Sequence, residues 1–241
     1  MPSSPLPTIN DIQHASAAPL GYAVFWRLSG VQIPHGDLVT LLVAHGFAPY
    51  QPDPPAPTTA LRRALQRWAS PGLLVRTITR EPPVLALVEE WADLHGLDLV
   101  HRTRLRVCYE PIQHTILCTR TASGPIEPAT SDGTLTHQIH LVWKEACQTL
   151  VGEDLARLLR AIILDLHAVR LQRGVYFVSA RHAELLARLD TLVRALPGSP
   201  LLATLARMDD RQTRQHLAHT VHRDMLHELS GMEEELRQVL A

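Results

Sequence analysis

The order of apolar and polar positions along the chain predicts an antiparallel sheet in the first half. Residues 73–80 and 84–91 are rich in apolar and β-branched residues, and Glu81-Pro82-Pro83 separates them. Residues 97–109 alternate between apolar and polar positions, which is typical of a strand with one buried face. A further strand over 112–121 completes a predicted β-meander.

Shorter elements precede the meander. Residues 22–28 have the aromatic and β-branched composition of a strand. A short helix is predicted before Gly46, which provides the stop signal. Five prolines within residues 48–57 favour an extended connection, after which a helix is predicted over 58–69.

Helical periodicity dominates after a linker over 123–134. Helices are predicted over 135–150, 152–173 and 179–196, with short strands at 175–178 and 201–208. A long amphipathic helix is predicted at the C-terminus over 209–240. Its apolar positions are Leu217, Val221, Met225, Leu229 and Leu236.

These elements predict an α+β fold. The N-terminal half is predicted to hold an antiparallel β-meander with two helices, and the C-terminal half to be mainly helical with one or two short strands. The order helix, helix, strand, strand over 36–91 also resembles a winged helix-turn-helix. The predicted segments are a flexible arm over 1–20, an α+β meander domain over 21–122, a linker over 123–134 and a mainly helical region over 135–241.

Composition narrows the class of protein. The 241 residues carry 23 Lys and Arg against 24 Asp and Glu, and the net charge of −1 argues against a protein that coats DNA through its overall charge. The apolar runs are too short to cross a bilayer, and the N-terminus lacks the basic and apolar regions of a signal peptide. We therefore expect a cytoplasmic protein without membrane association.

The positive charges are divided unevenly, because all but one are Arg and Lys144 is the single Lys. A GC-rich genome would produce this ratio through codon usage alone, and the single Asn of the chain agrees with that explanation. The alternative is that Arg is used for bidentate contacts to phosphate. Total composition fits both explanations, so the positions of the Arg residues matter.

Eight Arg fall between residues 62 and 106, on the second predicted helix and on the meander. Three of them alternate along one strand, so a regular pleat predicts that they share a face. Such a cluster suits the phosphate backbone of DNA or RNA. The alternative is a solvated surface on which Arg pairs with Glu89 or Glu90. The candidate phosphate-contacting residues are Arg62, Arg63, Arg67, Arg76, Arg80, Arg102, Arg104 and Arg106.

Other chemistry has little basis in the sequence. The chain contains neither GxxxxGK[ST] nor GxGxxG, which excludes a P-loop nucleotide hydrolase. His216, His219 and His222 are spaced three apart, and each step rotates by about −60° around a helix, so only adjacent pairs could share a metal ion. We expect no catalytic residue, no metal site and no cofactor.

The three cysteines, Cys108, Cys118 and Cys147, are odd in number and far apart, which fits no disulfide framework. Cys108 and Cys118 fall on paired strands of the predicted meander and could lie close together. We expect buried thiols rather than a redox pair, in agreement with a reducing compartment.

Two short phrases carry a resemblance to a family. Residues 170–178, RLQRGVYFV, lie between predicted helices, and residues 60–64, ALRRA, follow the Pro-rich connection. With the meander and the long C-terminal helix, this layout resembles an uncharacterised family of phage, plasmid and other mobile-element proteins over residues 22–240. The resemblance implies a mobile-element or host-defence setting and brings no catalytic residues.

The leading interpretation is a non-enzymatic, nucleic-acid-associated protein, in the setting of a mobile-element or host-defence complex, that contacts phosphate through Arg on the meander and the helix before it. One alternative is an assembly subunit in which the helix over 209–240 packs against a protein partner or a second copy. Another is a metal-dependent enzyme that uses the C-terminal His residues.

Overall fold

The structure, a computed structural model, describes residues 19–80, 83–92, 99–120, 130–208 and 211–240. These residues form six helices and ten strands, which confirms the α+β class. The helices are α1 (His35–Ala44), α2 (Pro57–Gln66), α3 (Thr130–Gln148), α4 (Gly152–Asp165), α5 (Ala183–Ala195) and α6 (Arg211–Leu240). The strands are β1 (Pro19–Arg27), β2 (Gln32–Pro34), β3 (Leu73–Arg80), β4 (Pro83–Ala92), β5 (Leu99–Glu110), β6 (Thr115–Arg120), β7 (Thr149–Val151), β8 (Val169–Gln172), β9 (Val175–Ser179) and β10 (Leu201–Met208).

The chain forms two compact units. The split unit contains the described residues of 19–33, 37–52 and 151–240, and the inserted unit contains 34–36 and those of 53–150. The chain therefore leaves the split unit, builds the inserted unit and returns. This division runs along different lines from the predicted segments, because β1 pairs with strands from the C-terminal half.

The split unit is built on an antiparallel sheet with the strand order β10-β1-β9-β8. β1 lies inside this sheet, and Ala23 and Val24, which point to opposite faces, are both buried. Gly21 is required at its position, since a Cβ there would lie 2.5 Å from Phe177 Cζ and 2.3 Å from the carbonyl oxygen of Val178. The predicted strand over 22–28 is confirmed, and the structure shows that it pairs with strands from the C-terminal half of the chain.

Helix α4 buries its apolar stripe in the split unit, as the sequence predicts. At its start, the Asp154 carboxylate accepts a hydrogen bond from the backbone N–H of Val151 at 3.0 Å. The helix ends at Asp165, eight residues before the predicted end at 173. His167 then takes a left-handed conformation, φ 55°, which is uncommon for a residue with a Cβ and gives no sequence signal comparable to a Gly. The buried positions of the stripe are Leu155, Leu158, Leu159, Ile162 and Ile163.

The inserted unit is the predicted meander, with the strand order β3-β4-β5-β6. Helices α2 and α3 cover one face of the sheet, which we call the helix-covered face. The core between them contains Leu61 and Leu65 of α2 and Ile139 and Trp143 of α3. On the sheet, this core contains Leu85, Leu87, Leu105, Val107 and Ile116.

A β-bulge interrupts the strand that carries three of the candidate Arg residues. Leu87 pairs with Leu105, but the next pair is Val88 with Thr103, so Arg104 is an extra residue in β5. The bulge reverses the alternation of faces along β5. The prediction that Arg102, Arg104 and Arg106 share one face is therefore wrong.

Two finer predictions also differ from the structure. The described part of the C-terminal half contains four strands, β7 to β10, where one or two were predicted, and three of them belong to the sheet of the split unit. The resemblance of residues 36–91 to a winged helix-turn-helix fails, because α1 lies mostly in the split unit and α2 in the inserted unit. The predicted arm over 1–20 and the linker over 123–134 fall largely outside the described residues.

Candidate nucleic-acid interface

Helix α2 separates apolar and basic residues onto two sides. Ala60, Leu61, Ala64 and Leu65 are buried against the sheet and α3, each at most 1% exposed. The sequence of this helix, PTTALRRALQ, contains two Arg and no carboxylate. Pro57 at the first turn suits the start of the helix, because its missing N–H would have no helical partner there.

The α2 arginines continue onto α3. Arg62 is exposed and Arg63 is half-buried, while Arg67 follows the last turn of α2. Arg67 makes a bidentate ion pair with Glu145 of α3, at 3.1 and 3.2 Å. Lys144 is exposed beside Glu145. We call Arg62, Arg63, Arg67 and Lys144 the helical basic surface.

Helices α2 and α3 together with Arg67 carry four positive charges, and the sequence of α3 holds two carboxylates, Asp132 and Glu145, which leaves a net charge of +2. His140 adds no charge at neutral pH, because burial, and then the nearby Lys144 and His137, hold its pKa below the ordinary value. Lys144 was not a sequence candidate. The signal that could have identified it is its position on the polar side of the helix that carries Trp143.

The opposite face of the meander carries a second basic group. Arg76 of β3 and Arg106 of β5 pair with Ala86 of β4 from its two sides, so the three residues form one row across the sheet. Both Arg are exposed, while Ala86 is fully buried. This row is on the face that points away from the core, because Ala86 alternates with Leu85 and Leu87 along β4.

Carboxylates balance part of this second group. The Glu90 carboxylate lies 3.5 Å from the Arg76 guanidinium and 3.2 Å from His101 Nδ1. At the bulge, Arg104 forms an ion pair with Glu89, and Arg102 pairs across the strands with the same residue. On this part of the meander, Arg76 and Arg104 are therefore paired with carboxylates, as in the alternative to phosphate binding that the sequence left open.

The structure thus distributes the eight candidate arginines over both faces of one sheet. Three lie on the helical layer, and Arg76 and Arg106 lie on the opposite face. Arg80 is exposed where β3 ends, paired with Pro83. The helical layer carries the larger excess of positive charge.

The three cysteines are free thiols, and the structure holds two of them in an unreactive form. Cys118 pairs with Val107 and faces the core, whereas Cys108 pairs with Leu117 and lies on the opposite face, so both thiols are free. Burial raises the pKa of Cys118 and of Cys147. Both thiols are therefore protonated at neutral pH, which is the unreactive form.

No three His, Cys, Asp or Glu residues of the described chain lie close enough together to hold a metal ion. In the same part of the chain, no helix is long and apolar enough to span a membrane.

The fold and the helical basic surface define a two-unit α+β protein with a candidate phosphate-binding layer. A family of unknown function, DUF6744, matches residues 19–241, and the chain belongs to that family. No curated protein and no solved structure matches the chain. The mobile-element setting that the sequence resemblance implies stays a prediction.

Proposed function

We propose that the chain is a non-enzymatic, nucleic-acid-associated protein whose inserted unit contacts phosphate through the helical basic surface. The observation that carries the proposal is the net charge of +2 on α2, α3 and Arg67. Guanidinium groups on an exposed helix face suit the phosphate backbone, because they bind it without reading the base sequence. The sequence predicts phosphate contacts on both the meander and the helix before it, and the proposal gives the main contact to the helices.

Arg76 and Arg106 would make a weaker, separate contribution from the opposite face. Glu90 holds Arg76, so phosphate would have to displace a carboxylate there. The setting we propose is a subunit of a mobile-element or host-defence complex, for which the support is the layout of the sequence.

The test is the salt dependence of binding to a DNA duplex and to a single-stranded RNA of equal length. Arg62→Gln with Arg63→Gln should weaken binding and should lower the slope of log K against log salt by about 1.8 on the duplex, which corresponds to two phosphate contacts. Arg160→Gln with Arg173→Gln is the matched control, since it removes two exposed Arg from the split unit. Arg76→Gln with Arg106→Gln should have a smaller effect.

Two results would contradict the proposal. One is the absence of binding by the native chain at low salt. The other is an equal loss of affinity in the control variant, which would mean that only net charge matters.

A further inference from the structure

An apolar patch lies on one face of the split unit, at the edge formed by β10. The register pairs Phe25 with Ala203, Arg27 with Leu201 and Ala23 with Leu205, so the side chains of each pair share that face. Leu201 is 44% exposed and Leu205 is 57% exposed. We call Phe25, Leu201, Ala203 and Leu205 the β10 patch.

Exposed edge strands normally carry charges or Pro, which prevent association with other chains. β10 is the edge of its sheet in the described residues, and its sequence has neither a charge nor Pro from Leu201 to Ala206. The described charges on this face of β1 and β10 are Arg27 and Arg207, which lie at the two ends of the patch. A complementary surface is therefore apolar and acidic.

The second half of α6 has that chemistry. Over residues 226–240 the sequence contains four Leu and four Glu, against the single Arg237. Leu226, the first of these Leu residues, is 51% exposed. An amphipathic, acidic helix of this kind is suited to a basic-rimmed apolar surface.

Helix α6 of the same chain does not cover the β10 patch, because Leu201 and Leu205 are both exposed. The helix begins shortly after β10 and contacts β8, the opposite edge of the sheet. The patch is therefore accessible to a second copy of the chain.

A coiled coil between two copies of α6 does not suit this sequence. Met225, Leu229, Met232 and Leu236 follow a heptad spacing. The flanking positions hold Glu228, Glu233 and Glu235, so two such helices side by side would place like charges together.

We propose that the β10 patch binds residues 226–240 of a second copy of this chain. The Leu residues of the helix cover Leu201 and Leu205, and its Glu residues approach Arg27 and Arg207. The proposal concerns the split unit and is independent of nucleic-acid binding by the inserted unit.

The experiment measures the mass of the full chain by sedimentation equilibrium over about 1–100 µM, the range in which weak homodimers form. The native chain should associate with increasing concentration. Leu205→Glu should weaken association about tenfold or more, because it places a charge in the centre of the contact. Leu164→Glu is the matched control, since Leu164 has the same 44% exposure as Leu201 and lies on α4.

A charge exchange identifies the helix as the occupant. Arg27→Glu with Arg207→Glu should weaken association, and adding Glu228→Arg with Glu235→Arg in the same chain should restore it, since these two Glu lie on one side of the helix about 10 Å apart. A monomer at every concentration would overturn the proposal, and so would association that Leu205→Glu does not change. Loss without rescue by the exchanged charges would show that another segment or a different molecule occupies the patch, and would also overturn it.

Discussion

The two units of the protein bury their sheets in different ways. In the inserted unit each strand pairs with the next along the chain, and helices cover one face. In the split unit, Val24 of β1 pairs with Tyr176 and with Thr204, which are distant in sequence, and both faces of β1 contain buried residues. The sheet of the inserted unit is thus built from strands that are neighbours along the chain, whereas the sheet of the split unit joins remote parts of the chain.

The largest effect should come from breaking the centre of the split unit. Gly21→Ala places a Cβ inside the contact distance of the Phe177 ring and of the Val178 carbonyl, so we expect a loss of about 3 kcal/mol or more in the free energy of unfolding. Hydrogen exchange should increase in β1, β9 and β10 and stay unchanged in β3 to β6. Equal exchange in both units would show that they do not unfold separately.

The control for this change is Gly36→Ala in α1. A Cβ at Gly36 meets no atom within 4 Å, and Ala favours a helix. We expect unchanged or slightly higher stability in denaturant unfolding. A large loss there would mean that the Gly21 result cannot be attributed to the close contact.

Two Trp residues of the inserted unit differ in the hydrogen bonding of their indole N–H groups. The Trp143 indole N–H donates to the carbonyl of Pro57 at 3.0 Å, whereas the buried Trp68 indole N–H has no hydrogen-bond partner among the described residues. Trp143→Phe should cost about 1 kcal/mol more than Trp68→Phe, because only the first change breaks a hydrogen bond and leaves the Pro57 carbonyl unpaired. Urea unfolding of both variants measures the difference, and equal losses would contradict it.

Glu145 should limit the phosphate affinity of the helical basic surface. Its carboxylate holds Arg67 in an exposed bidentate pair, which is worth at most about 1 kcal/mol. Glu145→Gln should therefore raise DNA affinity about two- to fivefold at low salt. Glu184→Gln, which removes an exposed carboxylate from α5, should raise it less. Equal DNA affinity of the two variants would show that Glu145 has no special effect on the helical basic surface.

The smallest effect is a change in the pH dependence of stability, and it concerns His140 of the inserted unit. The pKa of His140 is lowered in the folded chain, first by burial and then by Lys144 and His137, so the unfolded chain binds more protons as the pH falls below the ordinary His value of about 6.5. The stability linked to His140 is therefore complete above that pH and is lost as the pH falls through it. His140→Gln should flatten the pH dependence of unfolding as the pH falls below about 6.5. An unchanged profile would assign that dependence to other groups.

The elements that could be predicted from the sequence are those whose structure depends on neighbours in the chain. The predicted bounds of β3 and β10, residues 73–80 and 201–208, match the structure. The strand alternation and the Pro break that signal them are local. Strand β8, over 169–172, was missed because His167, not a Gly or Pro, ends α4.

The candidate site was predicted only in part for a related reason. Arg62 and Arg63 of α2 could be placed, because the apolar positions of that helix fix its buried side. The face on which Arg102 lies could not be predicted. The bulge at Arg104 depends on how β5 pairs with β4, and the alternation of apolar and polar residues along β5 does not show it. The pairing of Arg67 with Glu145 joins residues 78 apart and is likewise outside any local pattern.

The position of β1 has a consequence for synthesis on the ribosome. β1 leaves the ribosome early, but its partners β9 and β10 begin at Val175 and Leu201. The inserted unit is complete at residue 150, before either partner has been made. Domains usually fold from the N-terminus during translation, whereas here the interior segment folds first. A nascent chain with β1 exposed and unpaired is therefore the stage at which this protein most needs a chaperone.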